Sequence, residues 1–176
     1  MSKKYLILII IVFSINSLSY SIKVNADERD AIWNTGKDDI SHMKTKNSDY
    51  KKGRDALKQA MRYNKKGKVK KANRRFNDAI NFFTLAFEES PEDTDILNHL
   101  GFCLKKIEDY IMAEIYYSQG LDINPNHKEI NEYLGYLYIE TNRIDKAKER
   151  LKVLENCKCD EFDRLKVAIK QVVTNY

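Results

Sequence analysis

Apolar residues along this chain fall in stripes three or four positions apart. Val69, Ala72, Phe76, Ala79, Ile80, Phe83, Ala86 and Phe87 make one unbroken stripe. Ala56, Leu57, Ala60, Met61 and Tyr63 make a second that can face it, and Phe162, Leu165, Ala168, Ile169, Val172 and Val173 make a third near the C-terminus. That spacing predicts amphipathic helices. The stripes are also periodic on a longer scale. Ala79, Ala113 and Ala147 are 34 residues apart, and so are Phe83, Tyr117 and Leu151. Leu100-Gly101 returns at Leu134-Gly135, and Pro91 returns at Pro125. A fixed 34-residue period predicts an array of helix pairs. No pair can bury its apolar face alone, so the pairs stack, and the curved surface that results is suited to binding other proteins.

On these residues the chain resembles the tetratricopeptide repeat (TPR) family. The best window, residues 94–125, carries Leu97, Leu100, Gly101 and Leu104, then Tyr110, Ala113, Tyr117, Gly120 and Pro125. The next unit carries Leu134, Gly135, Tyr138, Ile144, Ala147, Leu151 and Leu154, and departs at Cys159, where the closing proline is expected. The small residues let helices approach, the large ones fill the gap, and proline stops the second helix because it has no N–H to donate. The resemblance covers residues 48–176. It implies an all-α fold, an α-α superhelix of three helix hairpins with a C-terminal capping helix. The repeats are expected at about 48–91, 92–125 and 126–159, and the cap at about 160–174.

The first unit does not fit the period simply. Its second helix matches at Ala79, Phe83, Ala86 and Pro91, but the first-helix positions would then fall on Lys66, Gly67 and Lys70. Lysines at core positions are implausible. Tyr50, Gly53 and Ala56 fit better, which leaves an excess of 14 residues between Gly53 and Ala79 relative to Gly101 and Ala113. Seven added to each helix is close to two turns and keeps both faces in phase. The first hairpin, residues 48–90, is therefore expected to be elongated, with its turn at Lys65-Lys66-Gly67. Its tip would carry Arg62, Lys65, Lys66, Lys68, Lys70, Lys71, Arg74 and Arg75.

Charge sharpens that expectation. Residues 37–75 hold 15 Lys or Arg against 4 Asp or Glu, while residues 76–176 hold 12 against 19. Such an asymmetry gives the array one basic end, which can be a solvated helix pair or a dock for an acidic partner or membrane. The N-terminus reads differently from the repeats. Lys3 and Lys4 precede an apolar run at residues 5–15, and Val24-Asn25-Ala26 offers a small-residue cleavage site. That is the pattern of a secretory signal peptide, residues 1–26, and it places the mature protein in the periplasm or outside the cell. The run is shorter than the ~20 residues of a membrane span. Residues 27–47, which contain the single tryptophan Trp33, read as a flexible leader.

Cys157 and Cys159 close the third unit. Three readings stand for them: a local disulfide, a free pair, or metal ligands. A metal would require about two more ligands, and His42, His99 and His127 show no ligand spacing. In an exported protein two close cysteines favour the disulfide. The region also resembles small exported bacterial repeat proteins whose last repeat ends in a cysteine pair followed by an acidic-aromatic helix, here Asp160 to Leu165. Cys103, among Leu100, Phe102 and Leu104, reads as a core thiol.

No catalytic constellation, phosphate loop or metal cluster is legible, so the chain reads as a non-enzymatic scaffold that uses no cofactor. The resemblance implies a concave face carrying Asp95, Asn98, Phe102, Lys105 and Lys106 from the second repeat and Glu129, Glu132, Tyr136, Ile139 and Glu140 from the third. Such a face suits an extended peptide or a helix. Glu129 and Tyr133 stand where chaperone-binding relatives carry basic residues that clamp a C-terminal carboxylate, which argues against that ligand. The expected partner is a protein of unknown identity. The alternative is an envelope adaptor whose basic hairpin binds anionic lipid or polymer. Nucleic acid is not expected as a partner.

Overall fold

The structure, a computed structural model, describes residues 48–174 of the 176-residue chain. The expected signal peptide, the leader and Trp33 lie outside the described residues. Seven helices follow one another with short turns: α1 (Ser48–Lys65), α2 (Val69–Glu89), α3 (Thr94–Lys106), α4 (Tyr110–Ile123), α5 (Lys128–Glu140), α6 (Ile144–Leu154) and α7 (Asp160–Thr174). They pair as α1–α2, α3–α4 and α5–α6, and α7 lies against both α5 and α6. No strand occurs among the described residues, and none of the described helices is long and apolar enough to cross a membrane.

The 34-residue period marks the crossings. Ala79, Ala113 and Ala147 are each 0 % exposed, one on each outer helix. Four residues further along the first two outer helices stand Phe83 and Tyr117, and there the inner helices thin to glycine. A Cβ on Gly101 would stand 2.6 Å from the Tyr117 ring, so only glycine lets α4 seat its tyrosine against α3. The third repeat has Leu151 in the tyrosine's place, and there Gly135 is covered from elsewhere: Leu165 of α7 lies 2.6 Å from the same hypothetical Cβ. The capping helix thus fills the notch that a smaller outer-helix residue leaves open. Leu165, Ala168, Ile169 and Val172 are its buried stripe.

The first hairpin is elongated, as the fold class expected. From Gly53, α1 continues to Lys65, whereas from Gly101, α3 stops at Lys106; α2 begins ten residues before Ala79, and α4 three before Ala113. Each helix gains seven residues at the turn end. The added length is held by an alanine seam, in which Ala56, Ala60 and Ala72 are buried. Alanine brings the backbones close and has the highest helix propensity, so the extension needs few large side chains. Val69 departs from the expected stripe. It is 58 % exposed, because the first residue of α2 overhangs the tip beyond the end of the seam.

All three hairpin turns are built alike. Lys68 N–H donates to Tyr63 O and Gly67 N–H to Asn64 O, with Gly67 at φ +66°. The same pair of bonds recurs at Asp109 and Glu108, and at Arg143 and Asn142, with Glu108 at φ 68° and Asn142 at φ 58°. This is a Schellman closure, which places one residue in the left-handed region. Glycine and asparagine suit that place, and glutamate does not.

Candidate functional site

The inner helices α3 and α5 present the residues expected on the concave face. Ten consecutive residues of each are buried, 96–105 in α3 and 130–139 in α5. Inner helices of this kind are flanked on both sides by other inner helices and backed by outer ones, so little of their surface stays open. Phe102 is 4 % and Tyr136 6 % exposed, and Asn98, Lys105, Glu132 and Ile139 are buried too. Asp95 and Lys106 are half-buried, and Glu129 and Glu140 are exposed. The Phe102 ring packs on Tyr133 with centroids 5.3 Å apart and lies under the Lys106 ammonium at 5.2 Å.

Register explains how these side chains meet. Tyr50, Asn98 and Glu132 each stand three residues before the glycine of an inner helix. Each reaches across to the next inner helix. The Tyr50 hydroxyl is 3.3 Å from His99 Nε2 on α3, and their rings stack. Asn98 Nδ2 donates to Glu129 Oε2 on α5 at 3.3 Å. Glu132 accepts from Arg164 Nε and Nη2 on α7 at 2.7 and 2.8 Å. A further ion pair joins Lys105 Nζ to Glu140 Oε1 at 2.8 Å. Most of the candidate concave-face residues therefore serve the seams between inner helices.

Burial sets the protonation of these groups. It pushes the His99 imidazole down to about 4, so the ring is neutral at physiological pH. It raises the Glu132 carboxyl, against the opposing pull of Arg164. Glu129 is raised as well, chiefly by desolvation. Burial likewise pushes the Cys103 thiol well up, which leaves it inert.

At the N-terminus of α5 the structure gathers three groups that linear spacing separates. His127 caps the helix, its Nδ1 accepting from Ile130 N–H at 3.4 Å, and its Nε2 lies 3.3 Å from Asp95 Oδ1. Asp95, His127 and Glu129 each bring a ligand-type atom within 4.8 Å of the others. The signal was present in the period, because Asp95 and Glu129 are 34 residues apart. Equivalent positions in successive repeats become neighbours.

The basic tip is a second candidate surface. Arg62, Lys65, Lys66, Lys68, Lys70, Lys71 and Arg74 are exposed, and Arg75 pairs with Asp78 at 2.9 Å. At the other end Cys157 and Cys159 are disulfide-bonded, with Cα atoms 5.2 Å apart.

Residues 94–127 match the family model of the tetratricopeptide repeat. The fold is a TPR array. Solved structures agree with it at low identity. The second TPR domain of human RPAP3, in complex with the HSP70 peptide SGPTIEEVD, is 15 % identical with a TM-score of 0.53, over 69 % of this chain and 95 % of that one. The Yersinia enterocolitica type III secretion chaperone SycD, in complex with a peptide of the translocator YopD, is 17 % identical with a TM-score of 0.52, over 69 % and 89 %. A tetratricopeptide repeat protein from Parabacteroides merdae is 16 % identical with a TM-score of 0.52, over 72 % and 62 %. No curated protein matches the sequence significantly. The TPR match spans the second repeat and ends at His127, the residue that caps α5, and it contains Asp95, Asn98 and Phe102.

Proposed function

We propose that this protein is an exported, non-enzymatic scaffold that captures a peptide or helix of a protein partner on the concave side of α3 and α5. The observation that carries the reading is the TPR array itself, since TPR domains of the same fold, those of human RPAP3 and Yersinia SycD, are solved with bound peptides. Asp95, Lys106, Glu129 and Glu140 give that side its accessible charge, and Phe102 underlies it. The ligand differs from the RPAP3 peptide in kind, because Glu129 and Tyr133 stand where a carboxylate clamp would require cations. The signal-peptide pattern and the Cys157–Cys159 disulfide support export, as disulfides persist in oxidising compartments.

The exposed cations of the α1–α2 tip favour a second reading, in which the tip holds anionic lipid or polymer while the repeats recruit a protein. One experiment separates the two. Peptides selected by display against the mature protein are tested on two variants. Phe102 and Tyr136 are too deeply buried for alanine to be a clean probe, and Glu140 neutralises the buried Lys105, so the first variant is Lys106→Glu alone. The second reverses Lys65, Lys66, Lys70 and Lys71. The concave reading expects binding to fall at least about tenfold in the first, with the second altering mainly rate and salt dependence. Binding that survives the first variant and is lost in the second, together with salt-sensitive capture by anionic vesicles, overturns it in favour of the adaptor.

A further inference from the structure

We infer that Asp95, Asn98, His127 and Glu129 form a binding site for one divalent cation of the zinc–manganese class, which ties α3 to α5. The three titratable groups come from two helices and already converge, each with a ligand atom within 4.8 Å of the other two. Ligands around such an ion, at bond lengths of about 2.0–2.2 Å, stand roughly 3–4 Å apart. A side-chain adjustment of about an ångström therefore closes the set.

Asn98 supplies the independent sign. Its side chain is buried at 2 % exposure and bonded to Glu129 through Nδ2, yet its Oδ1 has no hydrogen-bond partner. A buried acceptor left unpaired is costly and calls for a reason. Rotation of the amide by half a turn brings Oδ1 toward Glu129, which is favourable only with a cation between them. The charge points the same way. Asp95 and Glu129 occupy equivalent places in successive repeats and bring two carboxylates together on the middle seam. Arg54 on α1 and Arg164 on α7 influence them from either side, but Arg164 is committed to Glu132 and Glu161.

One imidazole, two carboxylates and one amide oxygen suit zinc or manganese better than a soft-ligand metal, because no thiolate is present. His127 can join with a proton shift within its own ring. Its Nε2 exchanges the proton it now shares with Asp95 for the cation, the proton moves to Nδ1, and the long bond from Ile130 N–H is given up. The middle seam would then be metal-stapled and the concave side stiffened, whether or not a partner is bound there.

The test uses the full mature protein titrated with ZnCl2 and, separately, MnCl2, read by calorimetry and by thermal melting. One ion per chain and a raised melting midpoint are expected. Glu129→Gln should weaken binding at least about tenfold, since even groups behind a ligand are commonly worth that much. Asn98→Asp should act in the opposite direction. It adds a third carboxylate, so the metal-free protein melts lower, while metal binds more tightly and restores the midpoint. Failure of both ions to bind at one per chain overturns the site. So does binding unchanged in Glu129→Gln, which would place the ion elsewhere.

Discussion

At the first seam of the array, Tyr50 of α1 meets His99 of α3. At the last, Glu132 of α5 meets Arg164 of α7. The two reaching residues hold the same place, three before an inner-helix glycine, and the seams they close are opposite in kind. The first is aromatic and neutral. Tyr50 stacks on His99 with centroids 5.7 Å apart, and Phe83 leans on the same ring at 4.9 Å. Burial keeps the imidazole uncharged, so the seam gains contact area without a charge to desolvate. The last seam is an ion pair whose carboxylate is 0 % exposed and whose guanidinium still reaches the surface. A repeat array thus fixes where a seam residue stands and leaves its chemistry free. The first joint has to hold a long hairpin whose alanine seam offers little area of its own. The last joint has to position a single helix, and a two-pronged Arg–carboxylate pair sets orientation better than an apolar contact does.

The sharpest way to break the comparison is at the ion pair. Arg164→Met removes both donors and leaves Glu132 buried without its cation. Losing one partner of a buried pair costs about 3–5 kcal/mol. We expect chemical denaturation to show a loss of that size, with α7 detaching first. Adding Glu132→Gln should return a good part of it, because the uncompensated charge goes with it. A loss below about 1 kcal/mol would mean that the pair behaves as a surface contact and that the cap is held by its buried stripe of Leu165, Ala168, Ile169 and Val172.

Much of this contrast was not written locally in the sequence. The 34-residue period exposes the crossings at Ala79, Ala113 and Ala147, the elongation of the first hairpin and the stripe of the capping helix, because each depends on spacing within one or two helices. It also indicates which residues face inward. It does not say how far an inward residue remains accessible, since that depends on neighbours from the adjoining repeats. Phe102 and Tyr136 are therefore more deeply buried than a groove-lining role would suggest. The pairings Tyr50–His99 and Glu132–Arg164 join residues 49 and 32 apart. They become legible only when equivalent positions are aligned repeat by repeat. His127 shows the limit most clearly. As a lone histidine it has no ligand spacing, and it gains neighbours only when α5 is laid beside α3.

The neutral seam carries a pH signature opposite in sense to that of the ion pair. In the folded protein His99 takes up its proton only near pH 4, whereas in the unfolded chain it does so near 6.5. Between those values the unfolded state binds more protons, so stability is lost as pH falls through the window and is fully present above it. The full difference is worth about 3 kcal/mol. Glu129 and Glu132, whose carboxyls are raised by burial, work in the opposite sense, so the difference between two proteins is the right readout. The wild-type curve of unfolding free energy from pH 7 to pH 4 should fall more steeply than that of His99→Gln. Parallel curves would show that the imidazole takes up its proton in the folded protein as readily as in the unfolded chain, so that burial does not hold the first seam neutral as pH falls.

The smallest effect lies at the hairpin tips, where the first and second repeats again solve one problem in different ways. Both turns place a residue in the left-handed region, Gly67 at φ +66° and Glu108 at φ 68°. Glycine adopts that conformation freely, and a residue with a Cβ does so at a cost of about 1–2 kcal/mol. Part of the benefit of glycine is returned as extra disorder in the unfolded chain. Glu108→Gly should therefore stabilise by about 0.5–1 kcal/mol, and Gly67→Ala should destabilise by about 1 kcal/mol. The two substitutions are mirror images, and opposite shifts in melting midpoint would confirm that the turns are equivalent. Open space surrounds Gly67, so any loss there reflects backbone conformation and not a clash. If Gly67→Ala proves neutral, the elongated hairpin relaxes its tip, and the two additional turns of helix are less rigidly joined than the regular repeats.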